Sequence, residues 1–177
     1  PGAAEGEEIK AKGRIAWVNQ GFPRTNLNMP QGFGIEVHSI EMSSVDLIRA
    51  YLEAFNASDS EAMLALLAED VIHDINQGSR EIGREKFRWF NAQMAQHYRE
   101  ELADIAIMVS SDSHRAAAEF TVRGTYIKTA EGLPEASGQH YSLSAGVFFE
   151  VDDGLISRVS TCYNLQEWIR QVTAANG

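Results

Sequence analysis

This 177-residue sequence is poor in cysteine, with one, in proline, with four, and in basic residues. The single cysteine, Cys162, excludes an intrachain disulfide and makes a reducing cytoplasm the expected home. No apolar run approaches the roughly 20 residues of a membrane span. No segment near the start reads as a secretory h-region. Lys and Arg number 15 against 25 Asp and Glu, a net charge of -10. That balance argues against nucleic acid as a partner, because gripping phosphates needs clustered cations. It argues equally against an anionic membrane surface. The five histidines, His38, His73, His97, His114 and His140, form no HxxxH or HExxH pair, so no metal is expected. A serine nucleophile would need a GxSxG elbow, and Ser142 and Ser144 fall inside a strand pattern instead. Gly32-Phe33-Gly34 lacks the strand-turn-helix context of a nucleotide loop, so no cofactor is expected. Cys162 sits at a strand position, where a free cysteine is expected to be buried and inert. Asn56-Ala57-Ser58 matches a glycosylation sequon and is read as coincidence.

What is present suits one globular domain with an extension. Hydrophobic residues make up 44% and charged residues 23%. A chain of this length buries about 70% of its unfolded surface and needs no staple. Residues 1–41 differ from the rest. Gly13, Gly21, Pro23, Pro30, Gly32 and Gly34 punctuate them every few positions. Only Arg14–Asn19 and Gly34–Ile40 have the makings of short strands there. This segment reads as an irregular extension, natural or left from cloning, which Trp17, Phe22 and Phe33 could pack onto the domain. The domain proper is expected to span 42–177.

Three helices come first. Val45, Ile48, Leu52 and Phe55 repeat at the i, i+3, i+4 spacing of one buried face, with Ser43 or Ser44 as N-cap. Ser58 or Asp59 caps a second helix over Ala62–Ala68. A third runs from Gly83 to Tyr98, with Phe87, Phe90 and Met94 on its apolar stripe and Trp89 just off it. That stripe is read first as core; a partly hollow core would make it the wall of a pocket. The period then changes to two, giving long strands over Leu102–Ser110, Arg115–Lys128, Gln139–Val151 and Leu155–Asn164. Asp152-Asp153-Gly154 has hairpin-turn chemistry. A short helix or turn over Gln166–Val172 closes the chain. Helices followed by an antiparallel meander is an α+β pattern.

The stretch Asp70–Gly83 carries the candidate chemistry. Val71–Asn76 reads as a short strand, with His73 and Ile75 on one face and Ile72, Asp74 and Asn76 on the other. A carboxylate or imidazole at the mouth of an apolar interior can be tuned for proton transfer. The plainer alternative is an edge strand with solvated polar residues.

Several short motifs resemble a known family. Tyr51-Leu-Glu-Ala-Phe-Asn-Ala-Ser-Asp59, Leu66-Leu-Ala-Glu-Asp70, and Asp74 and Gly83 ahead of Phe87 and Phe90 resemble SnoaL-like and ketosteroid-isomerase-like proteins. These belong to the nuclear transport factor 2 superfamily. Ile75-Asn-Gln-Gly78, Tyr98-Arg-Glu-Glu101, Gly132-Leu-Pro134, Ala145-Gly-Val-Phe-Phe-Glu150 and Tyr163-Asn-Leu165 resemble its ketosteroid isomerase-related group. The resemblance spans about Met42 to Val172. It implies a cone-shaped α+β fold, with three helices on a strongly curved, mostly antiparallel sheet enclosing a pocket. It puts Tyr51 at the oxyanion-donor position. Counting back from Gly83 puts Asp74 at the general base, whereas counting forward from Asp70 puts Ile75 there. Asp74 is taken, since isoleucine cannot be a base. The family's protonated acid falls on Val147, so a true steroid isomerase is not expected. His73 or Tyr163 could supply another donor.

The expected activity is therefore cofactor-independent acid-base chemistry of isomerase, cyclase or dehydratase type, with Asp74, Tyr51 and His73 as the catalytic set. The expected ligand is a small hydrophobic molecule against Asn76, Phe90, Met94, Val122, Val147, Phe149, Val159 and Tyr163. Two alternatives stand beside it. One is an epoxide hydrolase of the same fold, which needs an Arg between two acids inside the pocket, with Arg123 and Arg158 the strand arginines available. The other is a non-catalytic binding module. Val147 and Phe148 are both apolar yet point to opposite sheet faces, so a homodimer through the outer face is expected.

Overall fold

The computed structural model describes residues 14–18, 33–36 and 42–174. By its internal contacts the chain divides into Pro1–Glu41 and Met42–Gly177. In the first unit, β1 (Arg14–Val18) and β2 (Phe33–Glu36) pair antiparallel. Trp17, Phe33 and the expected packing of this segment onto the domain concern side chains outside the described residues.

The second unit is a mixed α+β body. Helices α1 (Ser44–Asn56), α2 (Ser60–Ala65) and α3 (Arg84–His97) accompany a curved six-stranded sheet. The strands are β3 (Leu67–Asp74), β4 (Arg80–Ile82), β5 (Tyr98–Val109), β6 (Arg115–Tyr126), β7 (Gln139–Asp152) and β8 (Leu155–Tyr163). A fourth helix, α4 (Leu165–Ala174), closes the chain. The order across the sheet is β4-β3-β8-β7-β6-β5. Every pairing is antiparallel except β3 with β8. This is the expected fold, with α4 formed in full and one short strand, β4, that the sequence pattern did not reveal.

Local chemistry sets the element ends. The Ser43 hydroxyl accepts from the Asp46 N–H at 3.2 Å, and the Asp59 carboxylate accepts from the Ala62 N–H at 3.0 Å. The second helix stops at Ala65 rather than Ala68, because Leu67 is already on the sheet opposite Ile156. Asp153 and Gly154 both have positive φ, 47° and 74°, as a two-residue hairpin turn requires. Asn56 is a clamp between helix and sheet. Its carboxamide donates to the Leu102 carbonyl at 2.9 Å and accepts from the Leu102 N–H at 2.8 Å, tying α1 to β5.

Two strands carry irregularities. On β3 the pairing with β8 jumps between Leu67 and Ile72, yet Leu67, Val71 and His73 are all buried on the same face. On β5 the pairing with β6 jumps between Ala103 and Ala106, and Asp104 has a φ of 55°. An inserted residue reverses the faces of everything beyond it. Leu102 before the bulge and Ile107 and Val109 after it therefore all meet the core, while Ile105 is exposed.

The core lies between the helices and the inner sheet face. Ile48, Leu64, Leu67, Val71, Ile156 and Val159 are at most 2% exposed. Each such side chain contributes about 1.5–3 kcal/mol by leaving water. A second cluster, Tyr126, Tyr141, Leu143, Trp168 and Val172, forms where α4 meets the sheet. Cys162 is exposed, contrary to the expectation of a buried thiol. No described helix is long and apolar enough to cross a membrane.

Candidate functional site

Between the two clusters lies a cavity of about 260 Å³. That is at the small end of ligand pockets, which run roughly 300–1,000 Å³. Its walls are mostly apolar, including Leu52 and Phe55 from α1, Phe90 and Met94 from α3, and Val122 and Val147 from the sheet. The α3 stripe therefore divides its work. Phe87 is core and Phe90 and Met94 are wall.

The polar groups on the walls are few. Tyr51, His73, Asn76, Asn91, Tyr98, Glu100, Thr161 and Tyr163 line the cavity, and among the described residues no lysine or arginine does. His73 is 4% exposed, with Phe87 at 4.4 Å and Phe90 at 4.6 Å between ring centroids. Its Nδ1 is buried with no hydrogen-bond partner among the described residues, and so is the Asn91 carboxamide nitrogen. Burial pushes the His73 pKa down, and nearby Glu81 and Asp74 only partly oppose it, so the ring is neutral near pH 7. Burial alone pushes the Tyr51 phenol up, which keeps its proton in place as a donor. Its ring meets Phe149 edge-on at 5.4 Å. The Asn76 amide donates to the Tyr163 carbonyl at 3.1 Å, fixing the end of β3 against β8.

Glu100 is the carboxyl group of the cavity. It sits on β5 between Tyr98 and Leu102, which line the same space. Desolvation raises its pKa, and one hydrogen bond, from the Tyr141 hydroxyl at 2.6 Å, opposes the rise. The sequence reading missed Glu100 because it began the strand at Leu102. The signal was the alternation Tyr98, Glu100, Leu102 against Arg99, Glu101, Ala103. Asn91 and Thr161 were missed as well; Asn91 follows Phe90 on α3 with no motif of its own.

Asp74 lies elsewhere. Its neighbours His73 and Ile75 line the cavity, and period two sends Asp74 to the outer face of the sheet. There Arg80 Nε holds one carboxylate oxygen at 2.6 Å. Arg158 Nε and Nη2 hold the other at 2.7 and 2.6 Å. The Arg80 hydrogen bond and those of Arg158 depress the Asp74 pKa. A carboxylate so held is a poor base, and the assignment of Asp74 as the cavity base is corrected on that ground. The count forward from Asp70, which gave Ile75, is the one the cavity follows.

Arg158 also reaches Glu150 at 3.0 Å, so it does lie between two acids. That trio is on the outer face, not in the cavity. Arg123 is exposed near Asp104. Of the expected ligand contacts, Asn76, Phe90, Met94, Val122, Val147 and Tyr163 line the cavity. Phe149 and Val159 do not: each is 2% exposed and packed into the core behind the wall. No group of three or more His, Cys, Asp or Glu among the described residues is arranged to hold a metal.

Comparison with known proteins supplies the family. A proposed polyketide cyclase from Pseudomonas putida is 54% identical, with a TM-score of 0.73, over 74% of this chain and 98% of that one. Another from Xanthomonas campestris is 53% identical, with a TM-score of 0.72, over 76% and 99%. An epoxide hydrolase-like structure from M. tuberculosis, 17% identical with a TM-score of 0.59 over 75% and 90%, shares the fold. No curated protein matches the sequence. The SnoaL-like domain matches residues 48–159. With well over half of its length matched and relatives at this identity, the chain belongs to the SnoaL-like domain family, and it shares its fold with an NTF2-like protein from Burkholderia pseudomallei at 21% identity and a TM-score of 0.64.

Proposed function

We propose that this protein binds a small, largely apolar carbonyl compound and moves a proton on it by acid-base chemistry of isomerase, cyclase or dehydratase type. The observation that carries the reading is Glu100, the single carboxyl group among the described residues lining an apolar cavity that no described cationic side chain lines. A raised carboxyl pKa approaches working pH, where proton exchange with substrate is most efficient. Glu100 then takes the role first given to Asp74. Its carboxylate removes a proton from the carbon next to the carbonyl. The C–H electron pair becomes the enolate double bond and negative charge builds on oxygen. Tyr51 and neutral His73, both on the cavity wall, are the groups to donate hydrogen bonds to that oxygen. Glu100 returns the proton to another carbon in an isomerisation. In a cyclisation the enolate carbon adds to a second carbonyl, whose oxygen takes the proton. The similarity to proposed polyketide cyclases favours substrates with more than one carbonyl. The epoxide-opening alternative has less support, because it needs the acid-Arg-acid trio in the cavity.

The test is deuterium exchange at carbon in small ketones and 1,3-diketones, followed by NMR with wild-type protein. Exchange that disappears in Glu100→Gln supports the reading. Exchange that Glu100→Gln leaves unchanged, or absence of binding by any carbonyl compound, overturns it. In that case the protein is a binding module and Glu100 a structural acid.

We also propose that two copies pair through the outer sheet face. Phe148 is 57% exposed and Met108 53%. They lie in one row across the sheet, Met108–Ala117–Phe148–Ser160, where small neighbours leave the Phe148 ring proud of the surface.

A further inference from the structure

Glu100, Gly124 and Tyr141 occupy one row across three strands, Glu100 opposite Gly124 and Gly124 opposite Tyr141. Tyr141 does not stand upright on the sheet. Its ring lies over Gly124, so that any Cβ at 124 would collide with the ring atoms and the hydroxyl. Trp168 from α4 meets the same ring edge-on at 5.9 Å. Held from both sides, the Tyr141 hydroxyl reaches across β6 and donates to Glu100 Oε1 at 2.6 Å.

We infer that Tyr141 is a positioning residue for Glu100, seated by Gly124, and that it assigns the two carboxyl oxygens different tasks. Oε1 is occupied as a hydrogen-bond acceptor. Oε2 is left to carry and exchange the proton with a neutral carbonyl ligand. The inference rests on the reading of Glu100 as the acid-base group of the cavity. The glycine is what makes it possible, because the middle strand of the row must have no side chain for a ring to cross it. Burial and the adjacent carboxyl push the Tyr141 pKa far up, so its proton stays on the phenol and it remains a donor whatever the state of Glu100. Its hydrogen bond stabilises the ionised form of Glu100 against desolvation. The other titratable groups facing this space are Tyr98 on β5, Tyr163 on β8, Tyr51 on α1 and His73 on β3. None is a permanent cation, and among the described residues Tyr141 is the hydrogen-bond donor to Glu100.

The experiment follows the Glu100 carboxyl carbon by NMR in full-length protein labelled with 13C at glutamate Cδ, with Glu100→Gln to assign the signal. Ligand is not needed. Tyr141→Phe keeps the ring and removes only the hydroxyl. It is expected to raise the Glu100 midpoint by about one pH unit. Gly124→Ala displaces the ring and is expected to raise it similarly. The double variant is expected to go no higher than either single one, because both remove the same bond. An unmoved midpoint in a folded Tyr141→Phe overturns the inference, and that variant suffices if Gly124→Ala does not fold. A midpoint that moves while Glu100→Gln still exchanges deuterium at the wild-type rate separates the two readings. Tyr141 then tunes Glu100, and the proposed chemistry fails alone.

Discussion

His73 and Asp74 are adjacent in sequence and face opposite sides of one sheet, and the two sides follow different rules. On the outer face the acids are paired: Arg80 and Arg158 hold Asp74, and Arg158 and Arg115 reach Glu150. On the inner face polar groups stand almost alone. His73 Nδ1 and the Asn91 amide nitrogen have no partner among the described residues, and Glu100 has one, Tyr141. The outer carboxylate is made a weaker base by its partners, the inner carboxyl a stronger one by its isolation. Proximity to a motif therefore says less about chemistry than which face the strand presents.

The sharpest way to break this comparison is to neutralise each acid in turn. Glu100→Gln is expected to cut carbon-deuterium exchange by at least about 100-fold, the lower range for loss of a general acid-base group. Asp74→Asn is expected to leave it near wild type. The reverse result would move the chemistry to the outer face.

The fold was largely legible, and the site only in part. Helix α1 announced itself through its period and its Ser43 cap, and the hairpin through Asp153 and Gly154, because those signals are local. The pocket walls Phe90 and Met94 followed from the α3 stripe. Glu100 did not, because a strand beginning right after a helix has no turn to mark it, and Asp104 flips the alternation four residues on. Asp74 was misread for a related reason. The count back from Gly83 crosses the turn at residues 75–79, where Gln77 has a φ of 59°, whereas the count forward from Asp70 stays on β3 and ends on Ile75, which lines the cavity. Sequence chemistry outweighed strand parity, and parity was right.

The next effect is on stability and has opposite sign at the two acids. The folded pKa of Asp74 is depressed, so its contribution is present above its unfolded value of about 3.9. That contribution is lost as pH falls through the folded value. The folded pKa of Glu100 is raised, so its contribution is present below the unfolded value of about 4.3. It is lost as pH rises through the folded value. Each tenfold weakening of Glu100 as an acid is worth about 1.4 kcal/mol of this loss. Urea unfolding across pH is expected to show Glu100→Gln more stable than wild type at neutral pH. Asp74→Asn is expected to lose less stability on acidification than wild type does. Parallel curves for the two variants would erase the distinction between the faces.

A third comparison concerns Phe148 on the outer face and Val147 on the inner one. Phe148→Lys puts a charge into the proposed contact and is expected to halve the solution mass measured by light scattering, with the cavity intact. A stable pair of this kind buries about 1,200–2,000 Å². An unchanged mass would mean that the outer face is simply solvated, or that the copies meet elsewhere.

The smallest expected effect falls on Arg80, whose side chain is 54% exposed. Exposed ion pairs contribute little because water screens them. Arg80→Ala is expected to raise the Asp74 pKa, since the Arg80 hydrogen bond is the largest cause of its depression. Stability near pH 7 should barely move, because Arg158 still holds the carboxylate from the neighbouring strand. The Glu100 midpoint should not move at all. Among the described residues no hydrogen bond or ion pair joins the Asp74 cluster to Glu100, and strands β8, β7 and β6 lie between β3 and β5. Carboxyl NMR reads both acids in one titration. A Glu100 midpoint that followed Asp74 in Arg80→Ala would show that the sheet passes charge or strain from one face to the other, and the two faces would have to be treated as one site.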